Sequence, residues 1–166
     1  MKASKRHESL IPLSRAHHYA LMLCLRINRG LRDNARDAKW LRSKARLTTL
    51  FFESDLVTHF RAEEEILFPA MRGIAQATEL IAELGDEHRK LKTLVQQLQS
   101  ADTNSTEATL REFAALLEAH IRKEERILFP IYEKGIPAPT AEEVGREIEA
   151  LIGMAVQPRH PELLEP

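Results

Sequence analysis

One pattern occurs twice in this chain, and each copy sets a histidine and a glutamate four residues apart. The first copy reads His59-Phe-Arg-Ala-Glu63-Glu-Glu-Ile-Leu-Phe-Pro69, the second His120-Ile-Arg-Lys-Glu124-Glu-Arg-Ile-Leu-Phe-Pro130. Upstream of each stands a further histidine followed by x-x-Leu, in His18-Tyr-Ala-Leu21 and His88-Arg-Lys-Leu91. Residues i and i+4 share one face of an α-helix, about 40° apart around its axis. The spacing therefore does its work only if these segments are helical, and it asks for helices packed with those faces inward. A single His-x-x-x-Glu says little, because 25 of the 166 residues are acidic and about one histidine in seven would have a carboxylate at i+4 by chance. Two copies with shared Arg, Glu-Glu and Ile-Leu-Phe-Pro surroundings say much more.

Composition agrees with a helical reading. At 166 residues the chain fits one domain with a continuous core. Ala, Leu, Glu, Arg and Lys dominate, aromatics are 5%, and Val and Thr are too sparse for a β-rich domain. A net charge of -1 makes no case for nucleic-acid binding. The lone Cys24 sits in an apolar run and reads as a core thiol in a reducing cytosol. The basic N-terminus has no apolar stretch after it, and no apolar run approaches the roughly 20 residues of a membrane span. A cytoplasmic protein without membrane contact is the expectation.

The expected fold is all-α, an antiparallel up-down-up-down four-helix bundle over residues 10–136. A short fifth helix and a flexible tail follow over 137–166. The first helix is expected from Ser14, as N-cap, to Arg29, with residues 30–36 as a connection. The second runs from Asp37 to Met71, with Gly73 in the turn after it. The third runs from Gln76 to Ser100. The fourth opens on a capping box of Asn104 with Glu107 and reaches Tyr132. Pro137 and Pro139 break it, and Thr140 with Glu143 caps a fifth helix to about Met154. In such a bundle Glu63 and His88 lie nearly symmetrically about the second turn, and His88 and His120 about the third. His18 and His59 are less closely symmetric about the first connection. All four helices can thus bring their special residues to one layer.

Imidazole nitrogen and carboxylate oxygen suit iron, manganese or zinc, and no thiolate stands nearby to favour copper(I). Two metals, each with two histidines, can share both carboxylates, and a bridging oxide or hydroxide would leave each an open position. The expected metal ligands are His18, His59, Glu63, His88, His120 and Glu124. His17 aligns with Glu87 and is left to a supporting or exposed place. Asp55, four residues before His59, reads either as an acceptor orienting a histidine or as a surface residue. Glu64 and Glu125 lie one position off the metal face, behind the ligands or on the surface. Phe52, Leu56, Phe113 and Leu117 occupy the same stripes and serve as pocket wall and bundle core together. His7 and His160 fall outside the repeat.

These residues resemble the hemerythrin-like family, the HHE cation-binding domain, over about residues 10–136. The resemblance implies a four-helix bundle around a non-haem di-iron centre, with zinc or manganese as alternatives. It would put His18 and His59 on one iron and His88 and His120 on the other, bridged by Glu63 and Glu124. Members bind dioxygen, sense oxygen or redox state, or take part in iron homeostasis and nitric oxide responses. The oxygen carriers have a fifth histidine in a His-x-x-x-His pair on the third helix. Here His88 has Lys92 at i+4 and Leu84 at i-4. That departure weighs against simple oxygen carriage and toward redox reactivity. The pattern is also similar to the metal domain of iron–sulfur cluster repair proteins, without their cysteine-bearing N-terminal segment. The expected partner is a diatomic gas, dioxygen or nitric oxide, with any signal passed through another protein. The alternatives are a di-iron oxidoreductase, such as a peroxidase or ferroxidase, and an iron donor.

Overall fold

The structure is a computed structural model that describes residues 6–34, 37–100 and 103–152. Every regular element among these residues is a helix. A single 3₁₀ turn, Glu8–Leu10, leads into α1, Ile11–Asn34. Then come α2, residues 38–70, α3, Thr78–Ser100, α4, residues 103–135, and α5, Ala138–Ile152. Helix α4 packs against α1, α2 and α3, and α2 also packs against α3. Helix α5 crosses the N-terminal turn, α1 and part of α2. No helix here is long and apolar enough to cross a membrane among the described residues.

Several helix ends differ from the sequence expectation, each for a local reason. Ser14 does not cap α1. The helix starts three residues earlier, with Pro12 in its first turn, where a missing N–H costs nothing. The Ser14 hydroxyl instead donates to Glu125 Oε1 at 2.7 Å. Helix α1 also runs through Gly30 rather than ending there. A Cβ at Gly30 would stand 2.0 Å from Trp40 Cζ2, so this glycine makes room for the indole of α2. Asp37 caps α2 as its composition suggests, accepting the N–H groups of Lys39 and Trp40. Gly73 lies in the turn after α2, but no described glycine has a positive φ, so it is no left-handed cap. Asn104 and Thr140 fall inside the first turns of α4 and α5 and not before them. Pro139 fits that first turn of α5, which opens with the Ala141 N–H on the Pro137 carbonyl at 3.0 Å. The expected end of α5 at Met154, and the tail with His160, lie outside the described residues.

Helices α2 and α4 are not uniform. Residues Phe52–Leu56 and Glu63–Leu67 of α2, and Glu124–Leu128 of α4, form π-turns. In the last two, the Phe68 N–H bonds the Glu63 carbonyl and the Phe129 N–H bonds the Glu124 carbonyl, five residues back. Pro69 and Pro130 follow directly. A proline ring collides with the carbonyl four residues earlier in a regular helix, and a widened turn relieves that collision. The repeat thus extends from side chains to backbone, with both π-turns starting at the glutamate of His-x-x-x-Glu.

The core is split in two. One apolar cluster holds Leu23, Ile27, Phe52, Leu56, Leu91, Phe113 and Leu117, among others. The other holds Leu10, Leu13, Leu67, Leu84, Leu128, Phe129, Tyr132 and residues of α5. Along each of the first four helices the change of cluster occurs at the same place. Leu13 gives way to Ala20, Leu67 to Leu56, Leu84 to Leu91, and Leu128 to Leu117. Between these residues lie the histidines and glutamates of the repeat.

Candidate metal centre

The layer between the clusters holds His17, His59, Glu63, His88, His120 and Glu124, all buried. Their donor atoms form two groups, His17, His59, Glu63 and Glu124, and Glu63, His88, His120 and Glu124. Within each group the atoms lie within 4.8 Å of one another. The two glutamates belong to both groups. Glu63 stands between the pairs, its Oε1 2.9 Å from His59 Nε2 and 3.7 Å from His17 Nε2, its Oε2 3.3 Å from His88 Nε2. Glu124 Oε2 is 3.1 Å from His17 Nε2 and 3.4 Å from His120 Nε2.

Five of the six sequence-derived residues converge here, and one does not. His18 lies exposed on the outer side of α1, its ring edge-on to Tyr19. His17, only 2% exposed, takes the inward place. Successive helical residues are about 100° apart, so only one of the two can face the layer. The x-x-Leu alignment pointed to His18 because it matched Leu21 with Leu91. The buried residue three after the inward histidine is Ala20, so the register of α1 is His17 with His88. The sequence signal was a weak one, an apolar Ala20 three residues after His17 beside the more obvious Leu21 three after His18.

A second set of carboxylates holds the imidazoles from behind. Glu125 Oε1 is 2.8 Å from His17 Nδ1, Glu64 Oε1 2.7 Å from His88 Nδ1, and Glu87 Oε2 2.9 Å from His120 Nδ1. A carboxylate accepts, so each Nδ1 carries the proton and each Nε2 faces the shared glutamates. Glu87 is anchored in turn by Lys123. Arg6 anchors Glu125 at 2.6 Å and also lies over the Phe129 ring. Asp55 does not take this role for His59. It accepts the Ser54 hydroxyl, and the buried His59 Nδ1 has no hydrogen-bond partner. Lys92 is exposed and Leu84 is buried in the apolar cluster, so neither joins His88 in the layer.

Aromatic rings close the layer. Phe60 stacks on His88 at 3.9 Å between centroids, and Phe129 on His17 at 5.6 Å. Phe68, the repeat equivalent of Phe129, lies nearly parallel to His88 at 6.0 Å. Phe52, Leu56, Phe113 and Leu117 are buried in the adjoining cluster, and Phe52 meets Phe60 edge-on. Phe60 and the two Ile-Leu-Phe-Pro phenylalanines were not read as walls from the sequence. Their repetition in the motif was the available signal.

The electrostatics show a layer prepared for positive charge. Burial would lower the His17 imidazolium, but Glu124, Glu125 and Glu63 outweigh it and hold His17 well above its ordinary value. His88 is raised against its burial by Glu63 and Glu64. Burial would raise Glu63, yet His59, His17 and His88 keep it well below the usual carboxylate range. Both oxygens of Glu63 and of Glu124, and Nε2 of His17 and His59, are buried without a properly aligned hydrogen bond. Buried polar atoms left unpaired cost about 1–3 kcal/mol each, more when charged. A cation between them would satisfy all of them together. The donor set, nitrogen and carboxylate oxygen without sulfur, fits iron, manganese or zinc. Cys24 lies in the apolar cluster, and burial with the Glu118 charge pushes its thiol up to about 12, so it is no ligand here.

Residues 12–132 match the family described as Hemerythrin HHE cation binding domain. Among curated proteins, a DNA nickase of Nostoc sp. (strain PCC 7120) is 30% identical over 98 residues. That match covers 58% of this chain and 28% of the nickase. No solved structure matches the chain.

Proposed function

The chain belongs to the hemerythrin HHE cation-binding domain family, and from that premise we propose that it is a non-haem di-iron protein that binds or senses dioxygen or nitric oxide. The observation that carries this reading is that two buried four-residue groups share Glu63 and Glu124. His17 and His59 would hold one iron, His88 and His120 the other, and the two glutamates would bridge them. A di-iron pair supplies exchangeable electrons and open coordination positions for a small molecule. The protein's part is to hold the imidazoles of His17, His88 and His120 by their Nδ1 atoms and to keep water away with Phe60 and the adjoining apolar clusters. The bundle itself we read as up-down-up-down, because short connections join its four long helices. We place it in the cytoplasm.

One observation favours a second reading. With no second histidine from α3, each metal would have two histidines and two shared carboxylates, with room for an outside ligand. That suits a di-iron oxidoreductase with peroxide or ferrous iron as substrate, or an iron donor. The nickase match covers too little of that protein for its activity to be carried over.

Iron per chain after growth in iron-supplemented medium tests both readings. About two irons per chain, with an optical change on adding dioxygen or nitric oxide that reverses on removal, supports gas binding. Two irons with sustained consumption of peroxide supports the oxidoreductase. Absence of iron from protein prepared without chelators sinks both, and zinc in its place points to a structural metal.

A further inference from the structure

We propose that the two metal positions are unequal: the one facing His88 and His120 retains its metal, and the one facing His17 and His59 is the exchangeable position. This rests on the paired-metal reading above.

The carboxylates behind the imidazoles form an incomplete ring around the bundle. Glu64 of α2 holds His88 of α3, Glu87 of α3 holds His120 of α4, and Glu125 of α4 holds His17 of α1. The fourth place, from α1 to His59 of α2, is missing, and His59 Nδ1 is buried without a partner. The internal repeat shows why. With His17 in register with His88, Glu64 and Glu125 are equivalent, and the residue equivalent to Glu87 is Ala16. A methyl group accepts no hydrogen bond.

A second departure from the repeat acts in the same direction. His59 is followed by Phe60, but His120 is followed by Ile121. The Phe60 ring stacks on His88 at 3.9 Å and 14°, closer than Phe129 lies to His17. His88 and His120 are thus both held by carboxylates, and His88 also by a ring. Of the other pair, His17 is held by Glu125, which Ser14 and Arg6 anchor in turn, but His59 Nδ1 by no carboxylate. A carboxylate on the far nitrogen fixes the ring and strengthens the donor, and its loss weakens metal binding on the order of 10- to 100-fold.

The test is release of cobalt(II) from the loaded 166-residue chain into excess chelator, followed by visible absorption. The expected result is two phases of equal amplitude, separated by about tenfold or more. Glu87→Gln should speed the slow phase, and Glu125→Gln the fast one. Glu64→Gln acts on the same position as Glu87→Gln and serves where that variant fails to fold. Two cobalt ions leaving at one rate overturn the inequality and leave the paired site standing. So does a slow phase that neither Glu87→Gln nor Glu64→Gln moves. A chain that takes up fewer than two cobalt ions overturns the paired reading, and the inequality with it.

Discussion

His17 and His18 are neighbours in the chain with different fates, because a helix turns about 100° between them. His17 faces two glutamates and a stacked phenylalanine, while His18 faces outward. The expected outcome is that His17→Ala lowers bound metal and His18→Ala leaves it near the parent value, measured by elemental analysis of both variants. Glu125 offers a separate test in the metal-free protein. Burial would raise its carboxyl, but His17, Ser14 and Arg6 hold it at about 2 against an ordinary 4.5. A carboxylate so depressed adds stability that is fully present above about pH 4.5 and is lost as pH falls toward 2. Urea midpoints of Glu125→Gln, taken across that window, should therefore fall less steeply with acid than those of the parent chain.

At the scale of the element, the helix ends and turns answer to neighbours more than to local propensity. Glycine is a poor helix former, yet α1 continues through Gly30 because Trp40 occupies the space a side chain would need. Gly30→Ala would gain about 1 kcal/mol of helix propensity. It would also force the indole aside, and overpacking of this kind costs about 1–3 kcal/mol. The expected net result is a modest loss of stability with a shift in Trp40 fluorescence, which can be read directly because Trp40 is the sole tryptophan. Helix α5 shows the same dependence on close approach. Gly145 lies against Ser9, where a Cβ would meet the Ser9 backbone at 3.0 Å.

In the whole molecule, the His/Glu layer is a polar layer between two apolar clusters, where a bound metal would compete with protons. His17 and His88 are raised, so in the metal-free protein they keep protons above the ordinary 6.5. Their contribution to the metal-free fold is fully present below about 6.5 and is lost as pH rises through the raised values. Metal must displace those protons, so its affinity should rise with pH across the same range, with protons released on uptake. Isothermal titration in two buffers of different ionisation enthalpy would count the protons. Metal at a hundredfold excess over Kd should stabilise the chain by about 2.7 kcal/mol, or about 5–10 °C in Tm for a chain of this size. A Tm that does not move with metal would count against a built site.

Much of this was legible beforehand because it is local and periodic. The i, i+4 spacing of His59 with Glu63 and of His120 with Glu124 settles which residues share a helix face, and the all-helical class follows from composition and pattern. The choice of His17 over His18 was not legible, since rotation of α1 is set by which of Ala20 and Leu21 packs inward against other helices. Glu64 and Glu125 could be placed behind the ligands or on the surface, but which histidine each holds, and the part of Glu87, were out of reach, because each carboxylate comes from a different helix 24 to 108 residues away. Nor did periodicity announce the π-turns, two of which precede Pro69 and Pro130 while the third, Phe52–Leu56, has no proline after it. Sequence alone determined the donor types of the layer and the spacing of the His-x-x-x-Glu pairs. Tertiary packing decided which histidine turns inward and which one is left without a carboxylate behind it, because both depend on contacts between helices.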